Sequence, residues 1–193
     1  MARGGAIGVV LAGGAGRRIG GDKAIVELEG RPLLLYPLAV LRAVFDEVAV
    51  VAKRATVLPP LDADVTIWLE ADEPRHPLVG VIHALRCARG RPVVVLAGDM
   101  PFVTRGLVTA LARERARGAV AVVPRAAGEL QPLCARYDPR ALMAFAGCDF
   151  GAPVSDVVAA LSPRIIDWPD DEPFFNVNHP EDILQAAALL SGR

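Results

Sequence analysis

The chain has 193 residues, of which 53% are hydrophobic and 22% are charged, and this composition is typical of a globular protein rather than a disordered one. The formal net charge is −1, so no overall positive field draws the protein to nucleic acid or to an anionic membrane, and a polyanionic ligand requires a local site. The length suits one α/β domain over residues 1–193, and the sequence has no uncharged apolar run long enough to span a bilayer.

Short β-branched apolar runs alternate with amphipathic segments through the first two thirds of the chain. The apolar runs predict buried strands at Ile7–Leu11, Val48–Val51, Val65–Trp68, Val93–Ala97 and Ala119–Val123. The segments between them predict helices at Leu33–Val44, Val79–Arg89 and Gly106–Arg117. Strands that alternate with helices imply right-handed crossovers, so we expect a three-layer, Rossmann-like, mostly parallel sheet with helices on both faces.

The last third of the chain is less regular. It predicts strands at Leu130–Tyr137 and Ile165–Trp168. It also predicts helices at Pro139–Phe145, Val154–Leu161 and Glu181–Leu190, the last with Pro180 at its start.

The segment after the first predicted strand is rich in glycine and positive charge, and runs from Leu11 to Lys23 as LAGGAGRRIGGDK. A parallel sheet binds its ligands at the carboxyl ends of the strands, so this loop lies where ligands bind. Its five glycines allow the backbone to approach a ligand closely, and consecutive amide N–H groups can hold phosphate oxygens. Arg17, Arg18 and Lys23 add cations that pair with phosphate. The loop therefore predicts a site for a polyphosphate.

Two familiar phosphate-binding motifs do not match this loop. The dinucleotide fingerprint GxGxxG fails because Ile19 stands at its third glycine. The P-loop pattern GxxxxGK[ST] fails because Asp22 stands where lysine is required. An NAD-binding domain is also disfavoured, since Lys53 and Arg54 follow the second strand, where an acidic ribose ligand would stand.

Two further segments carry candidate site residues. Asp99 comes just after the strand at Val93–Ala97, at the same sheet edge as the glycine loop, where a carboxylate suits Mg²⁺; the alternative is that it caps a turn. Asn176 and Asn178 would point the same way in an extended chain and offer two amides to one partner. The alternative for this second segment is a helix entry, with Asn178 or His179 as the cap.

Three blocks in order resemble the MobA-like nucleotidyltransferases, in particular the molybdenum cofactor guanylyltransferases: LAGG from Leu11, RRIGGDK from Arg17 and LEGRPL from Leu28. This resemblance implies a fold of the nucleotide-diphospho-sugar transferase type. It implies transfer of GMP from GTP to the terminal phosphate of molybdopterin with release of pyrophosphate, with Mg²⁺ held by Asp99. It favours GTP because cytidylyl relatives tend to carry alanine in place of Gly13.

The resemblance also implies roles for individual residues. Those expected to serve catalysis are Arg17, Arg18, Lys23 and Asp99. Those expected to bind the nucleotide and the acceptor are Leu11, Ala12, Gly13, Gly14, Gly16, Lys23, Lys53, Glu70, Asp72, Gln131, Asn176 and Asn178. Two departures from the family pattern bear on base selectivity: Lys53 replaces an asparagine, and either Glu70 or Asp72 takes the place of the aspartate before the next loop.

Several alternatives remain open from the sequence. The enzyme could be a cytidylyltransferase for the same pterin, or a nucleotidyltransferase for another phosphorylated acceptor. A non-catalytic reading is a nucleotide-binding accessory factor that works with molybdoenzyme maturation proteins. Cys87, Cys134 and Cys148 form no CxxC pair, which argues against a zinc site and a disulfide framework, and we expect a cytoplasmic protein.

Overall fold

The structure is a computed structural model that describes residues 5–12, 23–74 and 76–192. Its strands are β1 (Ile7–Leu11), β2 (Glu27–Leu28), β3 (Arg31–Pro32), β4 (Val48–Lys53), β5 (Thr66–Glu70), β6 (Val93–Ala97), β7 (Ala121–Ala126), β8 (Glu129–Leu130), β9 (Cys134–Tyr137) and β10 (Arg164–Asp167). Its α-helices are α1 (Leu35–Arg42), α2 (Pro77–Cys87), α3 (Arg105–Arg113), α4 (Ala141–Ala144), α5 (Val154–Ala160) and α6 (Pro180–Ser191). Two 3₁₀ helices cover Lys23–Ile25 and Glu172–Phe174.

The main sheet is mixed and mostly parallel, with the strand order β10-β7-β9-β6-β1-β4-β5 and β8 paired with β7. Strand β1 pairs in parallel with β4 and β6, and β4 pairs in parallel with β5. Strand β9 lies antiparallel between β6 and β7. Consequently the carboxyl ends of β1, β4, β5 and β6 share one edge, as the alternation of strands and helices predicts.

Helices cover both faces of the sheet, which confirms the predicted three layers. Every residue of β1 is buried, and its side chains alternate between two apolar clusters. Val10 packs with Leu38 of α1 and Leu107 of α3 on one face. Val9 packs on the other face with Val81 of α2, in a cluster that also includes residues of α4 and α5. A continuous apolar strand is therefore what a sheet buried on both faces requires.

One predicted element is wrong in the last third of the chain. The strand expected at Leu130–Tyr137 is two strands, because β8 ends at Leu130 and β9 begins only at Cys134. The N–H of Gln131 donates to the carbonyl of Pro124, and the N–H of Cys134 donates back to the carbonyl of Gln131. Pro132 in this turn has no N–H to give to a strand ladder, which is why the run of residues does not continue as one strand.

A third apolar cluster lies beside the main sheet and ties the β2–β3 hairpin to the C-terminal helix. It comprises Leu28, Leu33, Phe102, Val177 and Ala186. The cluster holds the segment after Lys23 against the segment before α6. Within the described part of the chain the cysteines are unpaired, and no helix is long and apolar enough to traverse a bilayer.

Candidate active site

A cavity of about 800 Å³ opens at the edge where β1, β4, β5 and β6 end. Its size is in the range of cofactor and nucleotide sites. The cavity brings together most of the described residues that the sequence predicts for binding: Leu11, Ala12, Lys23, Lys53, Glu70, Asp72, Asp99, Asn176 and Asn178. The cavity therefore lies at the sheet edge where the sequence predicts ligand binding.

Close contact between β1 and β6 sets the position of Asp99. Leu11 and Ala97 are register partners, and the N–H of Gly98 donates to the carbonyl of Leu11 at 3.0 Å. A Cβ atom at Gly98 would lie 3.0 Å from that carbonyl oxygen and 3.0 Å from Leu34 Cδ1, so glycine is the residue that allows this approach. The chain then leaves the strand with Asp99 at the rim of the cavity.

Lys23, Asp99 and Asn178 form a connected group that we call the Lys23 cluster. Lys23 Nζ lies 2.7 Å from Asp99 Oδ2 and donates to Asn178 Oδ1 at 2.6 Å. The N–H of Val177 donates to the carbonyl of Asp99 at 3.0 Å, which fastens the segment before α6 to the end of β6. Three segments far apart in sequence thus place one ammonium, one carboxylate and one amide at the same point.

The Lys23 cluster contains the carboxylate that could hold a divalent metal. Among the described residues there is no group of three or more His, Cys, Asp or Glu side chains suited to a metal ion. A metal at Asp99 would therefore take most of its ligands from a bound phosphate and from water. That arrangement fits Mg²⁺, which is commonly bound through one or two carboxylates together with substrate phosphates.

Lys53 and Glu70 form a second charged group, the Lys53 pair, at the ends of β4 and β5. They are register partners, and Lys53 Nζ lies 3.8 Å from Glu70 Oε1. The same ammonium donates to the carbonyls of Ala71 at 2.9 Å and Asp72 at 2.7 Å. Asp72 is exposed, so its backbone rather than its carboxylate is what the described structure fixes in place.

Glu70 is the buried carboxylate of the site. Its side chain is only 6% exposed, and Oε2 has no hydrogen-bond partner among the described residues. Burial raises the pKa of Glu70; the positive charge of Lys53 counteracts this rise, whereas the negative charge of Asp72 adds to it. A buried acceptor without a partner beside a cavity is chemically suited to a ligand that brings an N–H donor.

The segment before α6 serves the cavity and the helix together. Asn176 Nδ2 donates to the carbonyl of Phe174 at 2.8 Å, while Asn178 accepts from Lys23, and both line the cavity. The carboxylate of Asp182 accepts from the N–H groups of Asn178 at 2.7 Å and His179 at 2.8 Å. These two hydrogen bonds lower the pKa of Asp182, the one from Asn178 most strongly. The ligand-facing role and the helix entry are therefore compatible.

Six predicted site residues are not among those that the described structure shows in the cavity. Gly13, Gly14, Gly16, Arg17 and Arg18 lie outside the described residues. Gln131 is described, but it lines a separate depression of about 480 Å³, where it lies next to the carbonyl of Glu129. Leu133, two residues further on, does line the main cavity.

Gly80 and His76 also line the cavity, although neither is among the site residues predicted from the sequence. Gly80 lines the cavity from inside α2, and a Cβ there would lie 3.3 Å from Glu70 Oε2. A glycine inside a helical pattern is the signal that marks such a close approach. His76 Nδ1 accepts from the N–H of Leu78 as the cap of α2, and its Nε2 lies 3.2 Å from the carbonyl of Ala152.

Comparisons with known proteins bear on this site. The family profile described as the MobA-like NTP transferase domain matches residues 8–163. A molybdenum cofactor guanylyltransferase of Pseudomonas putida is 38% identical over 136 residues, which are 69% of this chain and 71% of that protein. One from Cereibacter sphaeroides is 35% identical over 193 residues, which cover 95% of this chain and 96% of that protein.

A solved structure is also similar along nearly the whole chain. The molybdopterin-guanine dinucleotide biosynthesis protein A from Archaeoglobus fulgidus superposes with a TM-score of 0.74, over 97% of this chain and 100% of that one. The identity is 24%, so this likeness concerns the fold.

Proposed function

The chain belongs to the MobA-like NTP transferase family, and on that basis we propose that it transfers GMP from GTP to the terminal phosphate of molybdopterin. The relatives from Pseudomonas putida and Cereibacter sphaeroides, both molybdenum cofactor guanylyltransferases, support this choice of substrates. The observation that carries the proposal is the meeting of Lys23 and Asp99 at 2.7 Å on the rim of the cavity. A nucleotidyltransferase needs an ammonium for phosphate and a carboxylate for a metal within reach of one triphosphate.

The reaction would proceed by in-line displacement at the α-phosphorus of GTP. An oxygen of the acceptor phosphate forms a bond to the α-phosphorus, and the bond to the bridging oxygen of pyrophosphate breaks, so that pyrophosphate leaves with the electron pair. The protein supplies no nucleophile; it positions two anions and offsets the charge that develops between them. Arg17, Arg18 and the amides near Gly13 would contribute to this charge balance alongside Lys23.

We propose Mg²⁺ as the metal and Asp99 as its protein ligand. Asp99 would hold the ion, which would supply electrostatic stabilisation of phosphate charge. Lys23 would exchange its contact with Asp99 for a phosphate oxygen, because an ammonium is a point charge on a flexible stem that can follow the anion. Asn178 would keep Lys23 near the rim during this exchange.

Glu70, rather than Asp72, is our candidate for reading the base. Guanine presents N–H donors along one edge, and Glu70 Oε2 is a buried acceptor that has no protein partner among the described residues. Asp72 is exposed and offers its backbone carbonyl to Lys53. Asn176 and Asn178, which also line the cavity, would face the acceptor.

Product analysis tests the proposed function. The purified protein is incubated with MgCl₂ and GTP, CTP or ATP, each with and without molybdopterin, and pyrophosphate and the dinucleotide product are measured. We expect product with GTP and molybdopterin together. Faster reaction with CTP would identify the cytidylyl alternative, and GTP binding without pyrophosphate release for molybdopterin or any other phosphorylated acceptor would contradict an enzymatic role. The Asp99→Asn variant, prepared in the same way, controls for contaminating transferases.

A further inference from the structure

Lys53 is one of the residues predicted to bind a ligand, yet its ammonium group already contacts other groups of the protein. An ammonium has three N–H donors. Two of them are used for the carbonyls of Ala71 and Asp72, at 2.9 and 2.7 Å, and the charge lies 3.8 Å from Glu70 Oε1. Lys53 therefore contacts the loop after β5 and Glu70, which leaves at most one N–H donor for a ligand.

The neighbours of Glu70 explain why this engagement matters. Among the described residues, the charged groups that act on Glu70 are Lys53 from β4 and Asp72 from the following loop. Gly80 of α2 lies beside the carboxylate, since a Cβ there would be 3.3 Å from Glu70 Oε2 and 3.1 Å from Leu11 Cδ2. Burying a carboxylate is costly unless a counter-charge stays close, and in the described part of the site Lys53 provides that charge.

We propose that Lys53 is a positioning residue for base selectivity, which holds the end of β5 and keeps Glu70 ionised at the wall of the cavity. An ionised carboxylate only accepts hydrogen bonds, whereas a protonated one also donates. The site would therefore select a base edge that presents N–H donors only as long as Lys53 is charged and in place. This inference rests on the proposed function in one respect, that the ligand at Glu70 is a nucleotide base.

Calorimetric binding of GTP in the presence of MgCl₂, without acceptor, tests this role across pH 6 to pH 9. For Lys53→Met we expect the ratio of its Kd to the wild-type Kd to rise as the pH falls, because the uncompensated Glu70 takes up a proton. The limiting slope is about tenfold per pH unit below the pKa of that carboxyl. Arg54→Met removes an exposed charge from the next position and is the matched control, with a ratio near one at every pH.

Further variants separate positioning from a merely structural effect. For Lys53→Arg, the ratio of the variant Kd to the wild-type Kd should not change with pH. Combining Lys53→Met with Glu70→Gln should also abolish the pH dependence, since a neutral amide does not titrate in this range. Lys53→Gln retains a donor for the two carbonyls and provides the same pH test where the methionine variant does not fold. A ratio that is raised equally at every pH would overturn the proposal while leaving the proposed function intact. A wild-type protein that does not bind GTP would instead overturn the proposed function.

Discussion

The two lysines of this chain line one cavity, and each meets a carboxylate at the end of a strand. In the Lys23 cluster the charged atoms are 2.7 Å apart, and both side chains are nearly one-fifth exposed. In the Lys53 pair they are 3.8 Å apart, and Glu70 is almost fully buried. The Lys23–Asp99 pair is in direct contact and partly exposed to solvent. The Lys53 pair leaves one oxygen of Glu70 without a protein partner in the described structure.

This difference indicates that the two pairs have different roles. A partly exposed ion pair contributes on the order of 0–1 kcal/mol, so giving up the Lys23–Asp99 contact for a phosphate and a metal costs little. Removing the partner of a buried charge is far more costly, on the order of 3–5 kcal/mol. The Lys23 cluster is therefore suited to partner exchange during a reaction, and the Lys53 pair to holding a fixed recognition surface.

Replacement of Asp99 by asparagine should have the largest effect, because it removes the proposed metal ligand while keeping the shape of the side chain. We expect turnover with GTP and molybdopterin to fall on the order of 10²–10³-fold, as for the loss of one electrostatic stabiliser of a transition state. Steady-state pyrophosphate release measures this. Asp46→Asn, an isosteric change at an exposed position, serves as the control. A folded Asp99→Asn protein with turnover near that of the wild type would end the proposed metal role.

Lys23→Met should lower turnover on the order of 10²-fold, since the triphosphate loses one charge partner. Unlike Lys53→Met, its effect on GTP affinity should have no added pH dependence from Glu70, because Lys23 pairs with Asp99 and Lys53 pairs with Glu70. Parallel calorimetric titrations of the two lysine variants from pH 6 to pH 9 compare them directly. Identical pH profiles would show that the two lysines do not have separate tasks.

Glu70→Gln should change selectivity more than rate. Losing a charged acceptor for a base N–H costs about 1–3 kcal/mol, so the preference for GTP over CTP should fall about 5-fold to 150-fold in kcat/KM. Asp72→Asn distinguishes the two carboxylates, because its exposed side chain should shift the preference less. A larger shift at Asp72 than at Glu70 would transfer the base-reading role to Asp72.

Asp182→Asn should have the smallest effect, on stability rather than on chemistry. The variant carries weaker acceptors for the N–H groups of Asn178 and His179, and we expect a loss of about 1 kcal/mol in the free energy of unfolding. Because the pKa of this carboxyl is lowered on folding, its contribution is present above the unfolded pKa of about 3.9 and is lost as the pH falls through the lower folded pKa. Urea unfolding of the wild type and the variant at pH 7 and near pH 3 tests this expectation. The difference between their free energies of unfolding should be smaller near pH 3.

Local sequence pattern predicted most of the fold. The strands at Ile7–Leu11 and Val93–Ala97 are found with the predicted bounds, because short β-branched runs buried on both sides have few alternatives. The turn that interrupts Leu130–Tyr137 was missed, since it depends on hydrogen bonds to Pro124 on another strand. The hydrophobic pattern of a sequence predicts which residues are buried, but it does not predict which backbone groups form hydrogen bonds with each other.

The sequence by itself determined that β1, which precedes the glycine-rich segment, and β6, which precedes Asp99, end at one sheet edge, since parallel strands align their carboxyl ends. Only the tertiary structure decided which side chains meet there. Lys23, Asp99 and Asn178 are brought together from three segments, Glu70 rather than Asp72 is the buried carboxylate, and Gln131 lies in a neighbouring depression. The physical reason is that strand position follows from local burial, whereas register, side-chain direction and ion pairing depend on contacts between residues distant in sequence.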